Sequence, residues 1–187
     1  MRCTLALVMR DRPTLTLFCG LPGSGKTTVA KLIEAKGGAI RICTDDWQEL
    51  LGVSHAVEEF HDRLQIVLYA HALRLLAAGV NVILEDGLWS KPERQQKLAD
   101  ANQLDARTHL YFFDLSLDVL RTRIERRNAA LPPGAVPVSI EDLTRWHQTV
   151  FERPSPSELA LFVAQYFMLA WGLGVHDRSF SRNLSSA

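Results

Sequence analysis

Nine residues, Gly20, Leu21, Pro22, Gly23, Ser24, Gly25, Lys26, Thr27 and Thr28, constrain this chain more than any other stretch. They satisfy the spacing G-x-x-x-x-G-K-[ST], with Gly20, Gly25, Lys26 and Thr27 at its fixed positions. Each fixed position has a physical task. The glycines let backbone N–H groups crowd around an anion with no Cβ in the way. Lys26 supplies a point charge for β- and γ-phosphates, and the Thr27 hydroxyl is placed to bind Mg2+. A helix starting at this point adds the positive end of its dipole. The flanks agree: Leu15 to Cys19 is an apolar run expected as a buried strand, and Thr27 to Lys36, with Val29, Leu32 and Ile33 apolar, is expected as a helix.

The rest of the chain alternates in the same way. Gly37 and Gly38 stop the first helix. Ala39 to Cys43 reads as a second strand, and Thr44-Asp45-Asp46-Trp47 follows it directly. Val57, Phe60, Leu64, Val67, Leu68, Leu75 and Leu76 recur at helical spacing, ended by Gly79. His55, His61 and His71 on or beside that helix show no metal-ligand pattern and read as structural or solvated. Val80 to Leu84 is a third strand, followed by Glu85-Asp86-Gly87. Pro92 to Leu104 reads as an exposed helix with Pro in its first turn, and His109 to Phe113 as a fourth strand. Ser116 caps a helix from Leu117 to Asn128 that carries Arg121, Arg123, Arg126 and Arg127.

Ala129 to Val138, rich in Pro, Gly and Ala, reads as a mobile loop. Ser139-x-x-Asp142 opens another helix, with Leu143, Trp146, Val150 and Phe151 on one side. Ser155 to Glu158 resembles a capping box, while Leu159 to Val163 fits either a helix or a fifth strand. We expect a loose lead-in over residues 1–13, one domain over 14–175 and a flexible tail over 176–187. Strands alternating with helices imply an α/β fold, a parallel sheet of four or five strands covered on both faces.

Composition narrows the function classes. Lys plus Arg and Asp plus Glu number 21 each, so the formal net charge is zero, without the basic excess usual in a dedicated nucleic-acid binder. Three cysteines, Cys3, Cys19 and Cys43, have no metal-like spacing, and reduced thiols in a cytoplasmic protein are expected. The apolar run Leu5 to Val8 is too short for a signal peptide or a membrane span. No membrane partner is expected, and a monomer or a homodimer fits.

In parallel sheets ligands bind at the carboxyl ends of the strands. Gly20, Asp45 and Asp86 each follow a different strand and so converge on one edge. Phosphoryl transfer needs charge neutralisation, in-line positioning and a place for the acceptor's proton. Asp45 is the candidate base; its other reading is a helix cap, and Asp46 is the weaker alternative. Glu85 and Asp86 stand where an acid touching Mg2+ through water is expected, with Asp86 the choice alongside Thr27. Arg123 and Arg127 are four apart on one helical face and could clamp a triphosphate.

GLPGSGKTT, then TDDW, an acidic strand end, and R-x-x-x-R before a Pro/Gly loop resemble the P-loop kinases that include polynucleotide 5′-kinases, zeta-toxin sugar kinases and chloramphenicol phosphotransferases. The resemblance is closest to their small bacterial relatives described only as AAA-family ATP-binding proteins, and it covers about residues 14 to 158. It implies a P-loop NTPase three-layer sandwich with a helical lid, ATP and Mg2+ as donor complex, Asp45 activating a hydroxyl, and Arg123 and Arg127 as lid arginines. One position departs: polynucleotide kinases of this type carry Arg three residues after the catalytic Asp, and here that residue is Gln48. The expected activity is therefore transfer of the γ-phosphate of ATP to a hydroxyl of a small molecule. Nucleic-acid ends, or a non-kinase nucleotide-binding role, are the alternatives. The chain has no Asn-Lys-x-Asp run of a guanine-specific switch.

Overall fold

The computed structural model describes residues 11–131 and 136–167. Five strands form one sheet: β1 (Thr14–Cys19), β2 (Ala39–Ile42), β3 (Asn81–Leu84), β4 (Arg107–Phe113) and β5 (Val163–Phe167). Their order is β2-β3-β1-β4-β5, and every pairing is parallel. The helices between them are α1 (Lys26–Glu34), α2 (Thr44–Leu50), α3 (Glu58–Ala77), α4 (Lys91–Gln103), α5 (Leu117–Ala129), α6 (Ile140–Thr149) and α7 (Pro156–Leu159).

Strand parity divides the core in two. Leu15, Leu17 and Cys19 of β1, Val82 and Leu84 of β3 and Leu110 and Phe112 of β4 face one side, where they meet Leu68, Ala72 and Leu76 of α3 and Ala101 of α4. Phe18, Ile83, Tyr111 and Phe113 face the other and pack on Val29 and Ala30 of α1. Both faces are covered, so these strands read as continuous apolar runs rather than alternating ones. A third cluster joins α5 and α6 through Leu120, Ile124 and Leu143, and Leu21 of the glycine-rich loop is buried in it. The loop is thus anchored to α5 and α6 by one of its own side chains.

The boundaries differ from expectation in places with identifiable causes. The first helix ends at Glu34, two residues before Lys36, because Gly37 and Gly38 both take positive φ after a short turn. Leu159 to Val163 is not a strand: Ser155 Oγ accepts from the Glu158 amide, Pro156 starts α7, and the fifth strand begins only at Val163. α4 is not simply exposed, since Arg94 is fully buried and Lys97 is 6 % exposed. Of the expected loop 129–138, residues 132–135 lie outside the described residues. Its flanks are joined by Asn128, whose Nδ2 donates to Val138 O at 2.8 Å and whose Oδ1 accepts from Val138 N at 3.3 Å. Cys3 and the expected tail 176–187 also lie outside the described residues. No helix among the described residues is long and apolar enough to cross a membrane.

Candidate phosphate-binding site

β1 runs into the loop, and α1 leaves it at Lys26. Gly25 is the residue preceding that helix, at φ 103°, a conformation costly for any residue with a Cβ. Gly20 has a different reason to be glycine: a Cβ there would stand 2.9 Å from Ser24 Oγ and 3.0 Å from Phe113 Cβ. Ser24 is buried, and its Oγ has no hydrogen-bond partner. Thr27 and Thr28 are exposed in the first turn of α1, and Pro22 is half-buried.

Lys26 Nζ donates to Gly20 O at 2.9 Å and to Leu21 O at 3.1 Å. An ammonium has three donors, so one remains after these two bonds. Burial lowers the Lys26 pKa to about 8, against the pull of Glu85, Cys19 and Asp45. Arg123 of α5 crosses the loop from the other side, its NH1 donating to Ser24 O at 3.2 Å and lying 3.5 Å from Gly23 O. Arg127, one turn later, is exposed on the last turn of α5. The two arginines of the sequence motif therefore stand in different places: Arg123 on the loop, Arg127 at the solvent. Arg121 turns to α6 and donates to Thr144 Oγ1 at 3.1 Å.

The acidic pair after β2 is also divided. Arg41 of β2 bonds Asp46, Glu34 at 2.9 Å and Glu85 at 2.6 Å. Asp46 is thereby held in an ion-pair cluster. Asp45 stays exposed at the start of α2, with Oδ1 at 3.8 Å from His55 Nδ1 and 3.7 Å from His61 Nδ1. Asp45 does not cap the helix, because the residue at the cap position is Cys43.

Glu85 and Asp86 separate in the same way. Glu85 joins Arg41 and is the first of the charges that act on Lys26. Asp86 turns away between α3 and α4, where Gln65 hydrogen-bonds it and Lys97 Nζ lies 3.8 Å from Oδ2. Burial raises the Asp86 pKa against the opposing charge of Lys97. Its Oδ2 makes no hydrogen bond. Lys97 in turn stands 3.8 Å above the Tyr69 ring.

Gln48 is fully buried, and both ends of its amide are hydrogen-bonded. Its Nε2 donates to Ser54 O and its Oε1 accepts from His61 Nδ1, both at 2.9 Å. It fixes the turn between α2 and α3 and the tautomer of His61. Cys19 and Cys43 are buried free thiols, both pushed up to about 12 by burial, so they stay protonated at neutral pH.

Two participants escaped the reading of the sequence. Trp89, between β3 and α4, donates its indole N–H to Gly20 O at 3.2 Å. Arg94, four residues into α4, pairs with Glu158 through Nε at 2.7 Å and NH2 at 3.2 Å. Its NH1 donates to Leu88 O at 3.1 Å and Trp89 O at 3.3 Å. The spacing puts Arg94, Lys97 and Ala101 on one helical face, and only the structure shows that face to be the one turned to the core.

A parallel 2-3-1-4-5 sheet with a glycine-rich loop between β1 and α1 defines a P-loop kinase-like protein. The chain belongs to the AAA_33 family, described as an AAA domain, whose profile matches residues 15–153. The 54 kDa signal recognition particle protein of Pyrococcus furiosus is 31% identical over 90 residues, which are 43% of this chain. The match spans only 20% of that relative's length. The fold is similar to Kti12 of Chaetomium thermophilum in complex with ADP-AlF3, at TM-score 0.63 and 22% identity over 93% of this chain and 96% of that one. It is also similar to the APS kinase CysC of Mycobacterium tuberculosis in complex with AMPPNP and APS, at TM-score 0.54 and 19% identity over 94% and 95%.

Proposed function

We propose that the protein is a kinase that moves the γ-phosphate of ATP to a hydroxyl of a small molecule. One arrangement carries this reading: Lys26 and Arg123 flank the glycine-rich loop, and Asp45, the open carboxylate of its pair, acts on both Lys26 and Asp86. A general base beside the transferred phosphate must be open to its substrate and within electrostatic reach of the phosphate-binding lysine, and Asp45 meets both conditions. The loop fits a polyphosphate by its own chemistry, with a buried Ser24 hydroxyl lacking a partner, a third Lys26 donor and a helix N-terminus. The two nucleotide-bound neighbours support ATP as the donor, with Mg2+ held by Thr27, whose hydroxyl is exposed beside the loop. Mg2+ would neutralise charge on the β- and γ-phosphates.

In this mechanism Lys26 and Arg123 hold the phosphates and stabilise the charge that spreads over the transferred group. Asp45 accepts the acceptor's hydroxyl proton as the new O–P bond forms and the bond to ADP breaks. Arg127 joins only if the end of α5 moves inward. The acceptor side carries Asp86 and Glu93 against Lys97, which lies 3.8 and 3.9 Å from them. Gln48 adds no positive charge there. That balance favours an uncharged or amine-bearing hydroxyl compound over a phosphorylated one. Nucleic-acid ends are accordingly the less favoured acceptors.

The test is ATP turnover against nucleosides, sugars, amino sugars, antibiotics and 5′-hydroxyl oligonucleotides, with Lys26→Ala as control. Acceptor-dependent ADP release lost in Lys26→Ala is the expected result. ADP release that no acceptor stimulates would favour a plain ATPase, and stimulation by oligonucleotides alone would overturn the small-molecule assignment.

A further inference from the structure

The connection between β3 and α4 is built around one side chain. Trp89 places its ring against Trp146 of α6, with centroids 5.3 Å apart, and its N–H on Gly20 O. Its own carbonyl accepts from Glu152 N at 2.8 Å and from Arg94. Gly87 permits the fold-back, since a Cβ there would lie 2.3 Å from Trp89 Nε1. Leu88 is held at φ 44°, a strained position for a residue with a Cβ. Strain of this kind persists only where the surroundings over-determine it, and here the buried Arg94–Glu158 pair does so.

The carbonyl that Trp89 grips is the one that orients Lys26. Gly20 O accepts from Trp89 Nε1 at 3.2 Å and from Lys26 Nζ at 2.9 Å, which uses both of its lone pairs. On its other side, Gly20 N donates to Gly87 O at 3.1 Å, so the β3–α4 connection holds this residue twice. The peptide after a glycine rotates easily, because no Cβ restricts it. Rotated, it would turn a carbonyl dipole towards the phosphates and release one of the two anchors of the ammonium.

We infer that Trp89 is a positioning residue for phosphate binding: its indole N–H locks the Gly20 carbonyl, and through it the ammonium of Lys26. This rests on the phosphate-loop reading above.

Trp89→Phe keeps a ring against Trp146 and removes only the donor. Titration calorimetry with AMPPNP·Mg2+ should show affinity lowered about three- to tenfold, the range of one net hydrogen bond. In the Lys26→Ala background the same substitution should change affinity by less than about twofold, because the lock then has no ammonium to orient. Trp146→Phe is the control for packing, with a lower melting temperature and the wild-type affinity. Wild-type affinity in Trp89→Phe would overturn the inference, as would an equal loss in the Lys26→Ala background. Failure of the wild-type protein to bind AMPPNP·Mg2+ would instead remove the phosphate-loop reading on which the inference stands.

Discussion

Arg41 pairs with Asp46 at the end of β2, and this pairing leaves Asp45 as the open carboxylate of two neighbours. A carboxylate whose oxygen is taken by a guanidinium has fewer lone pairs to offer a hydroxyl proton. Asp45→Asn should keep ATP affinity within a few-fold and lower phosphoryl transfer by about 10² to 10⁴. Asp46→Asn should cost stability and much less rate. Single-turnover transfer and calorimetry on both variants check this, and a larger rate loss in Asp46→Asn would reverse the assignment.

Lys26 makes nucleotide binding depend on pH. In the free protein its pKa is lowered to about 8 by burial, while a bound polyphosphate favours the charged form. Binding above pH 8 therefore takes up a proton, so affinity is full below about 8 and falls as pH rises, by up to about tenfold per unit. Calorimetry in buffers of different ionisation heat measures the proton uptake directly. Lys26→Ala should bind weakly at every pH, retain the fold and lose this dependence.

Arg123 and Arg127 should differ although the sequence presents them as a pair. Arg123 already lies on the loop, and Arg127 faces solvent. Arg123→Ala should lower turnover by more than tenfold, since charge-assisted bonds to a phosphoryl group matter most where water is excluded. Arg127→Ala should have the smaller effect. Steady-state kinetics beside thermal melts separate these from stability losses, and equal kinetics in the two variants would show that α5 moves as a unit over the nucleotide.

The Arg94–Glu158 pair predicts a stability effect remote from the chemistry. Glu158→Gln leaves a guanidinium buried without its counter-charge, which costs about 3 to 5 kcal/mol. For a domain of this size that is a fall of roughly 6 to 20 °C in melting temperature. The double variant Arg94→Met, Glu158→Met should recover much of the loss, because no buried charge remains. Differential scanning calorimetry on the single and double variants tests it, and a single variant that melts with the wild type would show the pair to be solvated.

What the sequence determined by itself was local. The loop from Gly20 to Thr28 needs its glycines, lysine and hydroxyl at fixed spacing, and that spacing is visible in one dimension. The strands β1 to β4 are apolar runs, and Ser116, Ser139 and Ser155 announce the helices that they cap. What only the tertiary structure decided was partnership. Asp45 and Asp46 are adjacent in the chain and chemically alike; Arg41 separates them because successive residues at the start of a helix point in different directions. Glu85 and Asp86 part because successive side chains at the end of a strand point to opposite faces of the sheet, one to Arg41 and Lys26, the other to Lys97 on α4. Gln48 turns inward because His61, thirteen residues on, offers it a partner. Trp89 meets Gly20 across 69 positions, and Arg94 meets Glu158 across 64. Such pairs leave no mark in spacing or periodicity, because the sheet brings them together, and their chemistry exists only once it has formed.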